Sequence, residues 1–191
     1  MNESDKVNLL ERLDRHLDWI KSCDTKASIV LAMIGIFLTL FLSEQSIGML
    51  NDIFKQATEN INFSNVLYLI FFAFSVYLFL YGSYCLVKVL IPRDKTLLEE
   101  EGLHRDSLYY FETISNNNFL EFKRRVIARN EEENKDDEIA DILSQIYVNA
   151  KICTIKYSFF KKGIKYSFIG IASIIVVFMI GVLLVNIGGF N

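Results

Sequence analysis

The chain has 191 residues, a formal net charge of −3 and a hydrophobic content of 52%, although 23% of its residues are charged. A soluble domain rarely combines these two percentages, so the chain is expected to alternate between strongly apolar and strongly polar blocks. The small net charge excludes a protein that binds polyanions over its whole surface, and any basic site has to be local.

The polar N-terminal segment, residues 1–26, predicts a cytoplasmic amphipathic helix. Four apolar residues and one acid repeat at spacings of three and four residues, which places them on one helical face. Because no proline or glycine precedes the apolar run that follows, we expect this helix to continue into a membrane. The predicted seam consists of Leu10, Leu13, Leu17, Ile20 and Asp24.

Three apolar segments are long enough to cross a bilayer, which requires about 20 mostly apolar residues in a helix. The predicted spans are residues 27–47, 66–91 and 166–187. An external loop, 48–65, and a cytoplasmic helical region, 92–165, connect them, and residues 188–191 form an external tail. The long, partly acidic segment before the first span disfavours a cleaved signal peptide.

Lysine and arginine residues predict the orientation of the spans, since cytoplasmic segments carry an excess of both. Five lysine or arginine residues precede the first span, one lies in the loop at 43–65, and thirteen lie in the region from Pro92 to Lys165. We therefore expect the N-terminus and the long middle region inside the cell and the C-terminus outside.

The first span carries small or hydroxyl-bearing residues on one helical face. Such side chains suit a pore lining, where water replaces lipid, and they equally suit close packing against another helix. Both alternatives stay open, and in a homo-oligomer they overlap. This small-residue face consists of Ser28, Ala32, Gly35, Thr39 and Ser43.

The second span places Tyr77, Tyr81, Tyr84 and Lys88 on one face, here called the tyrosine face. Tyrosine hydroxyls in lipid need hydrogen-bond partners. The simpler interpretation is that Lys88 reaches the interface and that the tyrosines bond to neighbouring helices.

The cytoplasmic region predicts further helices, interrupted at "SNNN" (115–118) and at the charged segment 130–138. A last helix, with an apolar stripe that begins at Ile139 and reaches Cys153, runs into the third span. The fold class is therefore an all-α membrane protein with three transmembrane helices and a small cytoplasmic helical bundle, its last helix being continuous with the third span.

The densest basic cluster is a candidate ligand site and consists of Lys123, Arg124, Arg125 and Arg129. It suits the phosphates of a nucleotide or short oligonucleotide. A solvated face, contact with acidic lipid headgroups, or pairing with the nearby acidic segment would explain it as well.

Asp24 and Lys26 stand at the border of the first span. They are two residues apart, so they do not share a helical face, and each should find its partner on another helix or another chain. A water–membrane border explains Lys26, but it does not explain an acid on an apolar seam. We therefore interpret the two as an interhelical lock at a point that a gating movement would have to cross.

No catalytic or metal-binding constellation is recognisable. Three cysteines at unrelated spacings and two histidines match no metal motif, and no nucleophile or phosphate-loop motif occurs. We therefore expect no enzyme, no metal and no cofactor.

Three segments carry a family resemblance: "LDWIKSCDTKAS" before the first span, "SLYYFETI" after the second, and "QIYVNAKICTIKYSFFKKGIKYSFIGIA" leading into the third. They resemble the Pycsar effector transmembrane family, which is similar in layout to the SLATT domains of bacterial conflict systems. The most specific elements are Trp19, Asp24, Lys26 and Ala27, followed by Gln145, Tyr147, Ile152, Lys156 and Tyr157.

The resemblance implies an antiphage effector in the bacterial inner membrane. A partner nucleotide cyclase or nucleotidyltransferase would make a signal that activates or inhibits a homo-oligomeric ion channel or pore, such as a tetramer, and depolarisation would lead to abortive infection. Because the sequence contains no β-rich segment, we expect no separate cyclic-nucleotide-binding domain in it. The alternative is a membrane-anchored sensor or scaffold whose cytoplasmic bundle recruits a partner protein, and a membrane enzyme is a weaker third option.

Overall fold

The computed structural model describes residues 3–59, 62–91, 107–129 and 135–190, and these residues form six helices and no strand. Three of the helices are long and apolar enough to cross a membrane, and the last runs unbroken over 53 residues. The predicted all-α membrane fold with three spans is therefore confirmed. The helices are α1 (Glu3–Phe41), α2 (Glu44–Glu59), α3 (Phe63–Leu90), α4 (Phe111–Asn116), α5 (Phe119–Arg129) and α6 (Lys135–Ile187).

The described residues divide into two compact units. The polar unit contains residues 3–23, 107–129 and 135–156, and the membrane unit contains residues 24–59, 62–91 and 157–190. Helices α1 and α6 contribute residues to both units. Residues 92–106 and 130–134, which belong to the predicted cytoplasmic region, lie outside the described residues.

Helix α1 ends at Phe41, inside the predicted first span of residues 27–47, and a second helix follows at once. The hydrogen bond from Leu42 N–H to the Leu38 carbonyl closes α1, and the Ser43 carbonyl then accepts the first bond of α2, from Ile47 N–H at 2.9 Å. Most of the predicted external loop is therefore helical. Its amphipathic sequence explains why, since Ile53 and Ala57 bury one face of α2.

Helices α3 and α6 pack along a seam of small residues. A methyl group at Gly82 would collide with the backbone of Ser167, one at Gly170 with Phe79, and one at Gly163 with Leu86. The residue numbers fall on one helix as they rise on the other, so the two helices are antiparallel. Small residues let the backbones approach closely, which maximises van der Waals contact where no hydrophobic effect drives association.

A buried cluster joins α2, α3 and the C-terminal segment. Tyr68 and Phe190 lie edge to face at 5.5 Å, beside the buried side chains of Ile53 and Ala57. The Asn65 side chain donates to the Phe190 carbonyl at 3.2 Å. The segment predicted as a tail is thus packed as far as Phe190.

Gly188 makes the return of the C-terminal segment possible. Its φ of 71° is the left-handed conformation that ends many helices. The N–H groups of Gly188 and Gly189 donate to the carbonyls of Val185 and Leu184, which satisfies two carbonyls at the end of α6. This turn brings Phe190 back to the cluster.

The polar unit buries an α1 stripe that agrees with the predicted seam at Leu13 but departs from it at Leu17. Leu13 and Cys23 are buried, as expected for positions three turns apart, but Leu17 is 46% exposed. The predicted seam was wrong at Leu17, because the same periodicity allows a stripe that runs through Ile20 and Cys23 instead. In the same unit, Asn118 caps α5 by accepting the Glu121 N–H at 2.8 Å.

Candidate functional site

The small-residue face of α1 is exposed along its whole length. Ser28, Ala32, Gly35, Thr39 and Ser43 are all exposed in the single chain. A side chain added at Gly35 would meet nothing within 4 Å. Close packing between helices of the same chain therefore does not account for this face among the described residues.

The hydroxyls of this face are already bonded to the helix itself. Ser28 donates to the Asp24 carbonyl and Thr39 donates to the Gly35 carbonyl, both at 3.0 Å. Ser43 and Ser46 share a hydrogen bond at 3.0 Å where α2 begins. These bonds allow the face to contact either water or a closely packed apolar surface without an unsatisfied donor.

The tyrosine face of α3 is also exposed. Tyr77 and Tyr84 are 60% and 55% exposed. Tyr77 stacks on Tyr81 at 6.3 Å, Tyr81 lies edge-on to Tyr166 of α6 at 5.2 Å, and the Lys88 ammonium lies 5.5 Å from the Tyr84 ring centre. The predicted bonding of these tyrosines to neighbouring helices is limited to ring contacts within the described residues.

The basic cluster lies on α5 in the polar unit. Lys123 and Arg124 line an open cavity of about 360 Å³ together with Leu120, Ile127 and Ala128. Arg124 pairs with Glu121 at 2.7 Å and Arg125 donates to the Asn117 side chain at 3.3 Å. Arg129 is the last residue of α5, and its side chain lies outside the described part. The cavity therefore presents two cations above an apolar wall.

Asp24 and Lys26 differ in their surroundings. Asp24 is half-buried and takes part in a polar contact, whereas Lys26 is exposed. Ala27, the next residue of the resemblance, is completely buried in the membrane unit. The acid therefore lies toward the packed side of α1 and the base toward its outside, consistent with different roles for the two.

Sequence reasoning missed a buried polar cluster in the polar unit. Asp141 is fully buried on α6 and accepts the Leu108 N–H at 2.9 Å. Three residues earlier, Glu138 pairs with Lys6 at 2.8 Å and accepts the Tyr109 hydroxyl at 3.0 Å. The sequence did contain an indication of this cluster, because Asp141 is an acid between the apolar residues Ile139 and Ile142. An acid on an apolar stripe is also what drew attention to Asp24.

No catalytic or metal-binding geometry is found in the described part of the chain. It contains no group of three or more histidine, cysteine or acidic side chains that could hold a metal ion. None of Cys23, Cys85 and Cys153 forms a disulfide.

Three helices long enough to span a membrane, outward polar faces within the membrane unit and a separate polar helical unit define a small multi-span membrane protein. Comparison with known proteins narrows this class. The family model for the Pycsar effector protein domain matches residues 8–185. The chain is 33% identical over 176 residues to the Pycsar effector protein GmPycTM of Gulbenkiania mobilis, covering 87% of this chain and 88% of that protein. No solved structure matches.

The chain therefore belongs to the Pycsar effector transmembrane family. As a member of this family it is an antiphage defence effector that acts in the membrane, and the family is not a known enzyme family. The resemblance carried by the three quoted segments is confirmed over nearly the whole chain.

Proposed function

We propose that this protein oligomerises in the bacterial inner membrane and forms an ion channel or pore, which a nucleotide or oligonucleotide signal activates or inhibits. A partner cyclase or nucleotidyltransferase makes the signal. The N-terminus and the polar unit are cytoplasmic, where such a signal is made, and the C-terminus is external. Opening depolarises the membrane and ends the infected cell before phage is released.

The observation that carries this proposal is the exposed small-residue face of α1. Five small or hydroxyl-bearing residues lie in a row on a spanning helix, and the chain itself leaves them uncovered. Lipid does not require such a composition, whereas an oligomeric pore requires it both for the lining and for contacts between copies. Oligomerisation is needed because three helices do not readily enclose an aqueous path.

The signal-binding site in this proposal is the basic cavity of α5. Lys123 and Arg124 are cations that can bind phosphate by charge-assisted hydrogen bonds, and Arg125 adds to the local positive charge; Arg129 belongs to the same predicted cluster in the sequence. Leu120 and Ile127 form an apolar wall that a base or sugar can cover. A ligand that binds one state of the polar unit more tightly shifts the population toward that state.

Asp24 and Lys26 form the gating lock in this proposal. Both belong to α1, which continues from the polar unit into the first span. A rearrangement of the polar unit would reach the pore through this helix. We expect Asp24→Ala to uncouple signal from flux, or to destabilise the assembly, while Asp18→Ala, an exposed acid on the same helix, leaves both unchanged.

Ion flux through liposomes tests channel formation. Purified protein in phosphatidylethanolamine and phosphatidylglycerol liposomes should release potassium, in a manner that changes when cyclic mononucleotides of the four bases are added. Thr39→Phe should reduce the flux by about tenfold or more, because it fills the small-residue face. Leu40→Phe, at an exposed position beside that face, is the matched control. Absence of flux with and without every nucleotide would contradict the channel.

Binding to the polar unit is tested separately with the same nucleotides. Replacing both Lys123 and Arg124 by alanine should weaken binding by about tenfold per lost phosphate contact. The matched control replaces Lys161 and Lys162, two exposed lysines of α6, by alanine. Equal affinity in both double variants would place the ligand elsewhere.

A second candidate function is a membrane-anchored sensor or scaffold. The observation in its favour is the exposure of large apolar residues on α5, where Leu120 is 77% exposed. A partner protein that binds there would be lost in Leu120→Asp while liposome flux stays unchanged. Absence of flux in the native protein, combined with partner binding through α5, would favour this function over the channel.

A further inference from the structure

The tyrosine face of α3 needs an explanation that the single chain does not supply. Tyr77 and Tyr84 lie within a spanning helix, and no described residue accepts or donates a hydrogen bond at either hydroxyl. Lipid hydrocarbon offers no partner, so a polar group exposed to it is costly. Something other than lipid should therefore cover this face.

The small-residue face of α1 has the spacing to cover it. Its first four members, from Ser28 to Thr39, follow one another at intervals of four, three and four residues. The tyrosine face, from Lys88 back to Tyr77, has the same intervals. The helix between the two spans, α2, has 16 residues and several charges, so it does not cross the membrane and α1 and α3 run in opposite directions. The two faces are therefore matched when read in opposite directions.

The two faces also lie at similar levels within the membrane unit. The rings of Phe37 on α1 and Phe79 on α3 are in contact at 6.0 Å. Gly35 lies two residues toward the start of α1 from Phe37, and Tyr81 lies two residues toward the end of α3 from Phe79. A helix rises by about 1.5 Å per residue, so Gly35 and Tyr81 are displaced from the two phenylalanines by the same distance and toward the same side of the membrane. The two residues therefore lie at the same depth to within one helical turn.

Both faces point outward, so they do not cover each other in one chain. They are complementary between chains, because bulky rings stand on one and small residues leave room on the other. Two copies in the same membrane and orientation bring the faces together at the same level. Such a contact joins unlike surfaces, so each copy uses one face toward each neighbour and the copies associate head to tail, closing into a ring when the rotation allows.

A contact within the chain shows how a tyrosine can bind a bare helix. The Tyr68 hydroxyl donates to the Val177 carbonyl of α6 at 3.0 Å. It does so where Gly181, four residues further on, leaves the backbone uncovered, since a side chain there would collide with the hydroxyl. On α1, Gly35 stands four residues after Leu31 in the same way, and no described residue lies within 4 Å of the space that a side chain at Gly35 would take.

We propose that the tyrosine face of α3 in one copy packs on the small-residue face of α1 in the next copy, with a tyrosine hydroxyl bound at the gap left by Gly35. This contact specifies how the oligomer of the proposed function assembles, and it rests on oligomerisation but not on pore opening. The contact assigns the small-residue face to packing between copies, and the aqueous path of the proposed channel runs next to this packing.

Disulfide cross-linking in native membranes tests the contact. The background is the full-length protein with Cys23, Cys85 and Cys153 replaced by serine or alanine. Gly35→Cys is combined with Tyr81→Cys in one variant and with Tyr77→Cys in another, because the depths of the two faces are matched to within one helical turn. Oxidation should convert at least one of these two pairs into a ladder of dimers and higher multimers. Either single-cysteine variant alone should give no dimer, because the contact joins unlike faces.

Two control pairs define specificity. Gly35→Cys with Ser83→Cys tests the face, since Ser83 is two residues from Tyr81, which places it at a similar level but on another side of α3. Ser28→Cys with Tyr77→Cys tests the depth in the membrane, since Ser28 and Tyr77 lie at opposite ends of the two matched faces. Both should give about tenfold less cross-linking than the matched pair, because disulfides form only over a narrow range of Cα separations.

The results separate this contact from the proposed function. An amine cross-linker applied to the same membranes reports oligomers whatever their interface. Amine-linked oligomers without a disulfide in either matched pair, or dimers from a single-cysteine variant, would overturn the contact and leave the channel standing. Monomers alone under both reagents would overturn the contact and the oligomeric channel together. Disulfide ladders without liposome flux would support the contact and contradict the channel.

Discussion

Two rows of small residues lie in the membrane unit, one buried against another helix and the other exposed. On α6, Gly163, Ser167 and Gly170 are buried against α3. On α1, Ala32, Gly35 and Thr39 are exposed, and Gly35 has open space beside it. The composition of the two rows is similar, so composition shows only that a helix will approach something closely. Whether the partner belongs to the same chain is visible only in the structure.

This difference separates folding from assembly. The α6 row holds α3 and α6 together, so its residues determine whether a single chain folds. The α1 row makes no such contact, so its residues should matter for contacts outside the chain. Substitutions of the same kind in the two rows are therefore expected to fail at different stages.

The largest expected effect is that of Gly82→Leu, at the point where α3 meets Ser167. The leucine has no space there, and overpacking of this kind costs about 3 kcal/mol in the free energy of unfolding. We expect loss of the monodisperse detergent-solubilised protein, measured by size-exclusion chromatography and by thermal unfolding. Gly35→Leu should unfold within about 0.5 kcal/mol of the native protein in the same detergent, because its side chain enters open space. Equal instability of the two variants would contradict the distinction between the rows.

A smaller effect is expected from Asp141→Ala in the polar unit. The substitution leaves the partly buried Leu108 N–H without the Asp141 acceptor, which costs about 1 kcal/mol. The polar unit should become more sensitive to limited proteolysis, while the spans, protected by detergent, keep their helical circular dichroism. Asp136→Ala, an exposed acid in the first turn of α6, should change the proteolysis rate little. If both variants behave alike, the contact with Leu108 does not stabilise the unit.

The smallest effect is expected from Lys6→Ala. Lys6 pairs with Glu138 at 2.8 Å, and the lysine side chain is 38% exposed. A pair at the surface contributes at most about 1 kcal/mol, and added salt screens it. The loss in the free energy of unfolding should therefore shrink in 0.5 M sodium chloride, because the Debye length falls below about 5 Å at that ionic strength. A loss of the same size at low and high salt would show that Lys6 acts through packing instead.

Much of the fold could be predicted from the sequence, because its signals are local. Apolar runs without charges predict spans, and the lack of a helix breaker before the third span predicts the length of α6. The small-residue row of α1 was recognisable for the same reason. Its exposure was not, because periodicity shows which residues share a face but not where that face points.

The features that were missed depend on residues far apart in sequence. The buried state of Asp141 depends on the Leu108 backbone, 33 positions away, and the return of Phe190 depends on Asn65, 125 positions away. The seam of α1 was misassigned at Leu17 because two stripes of equal periodicity were available. The α6 row was overlooked although its small residues have the same spacings of four and three, and the contact with α3 distinguishes it.

The most direct test of assembly through α1 is the mass of the complex in lipid nanodiscs, measured by native mass spectrometry. The native protein and Gly48→Leu, which alters another glycine with open space but outside the small-residue face, should both give one discrete oligomer. Gly35→Leu should shift the population to monomers while remaining folded. A monomeric native protein, or an unchanged oligomer in Gly35→Leu, would contradict assembly through this face.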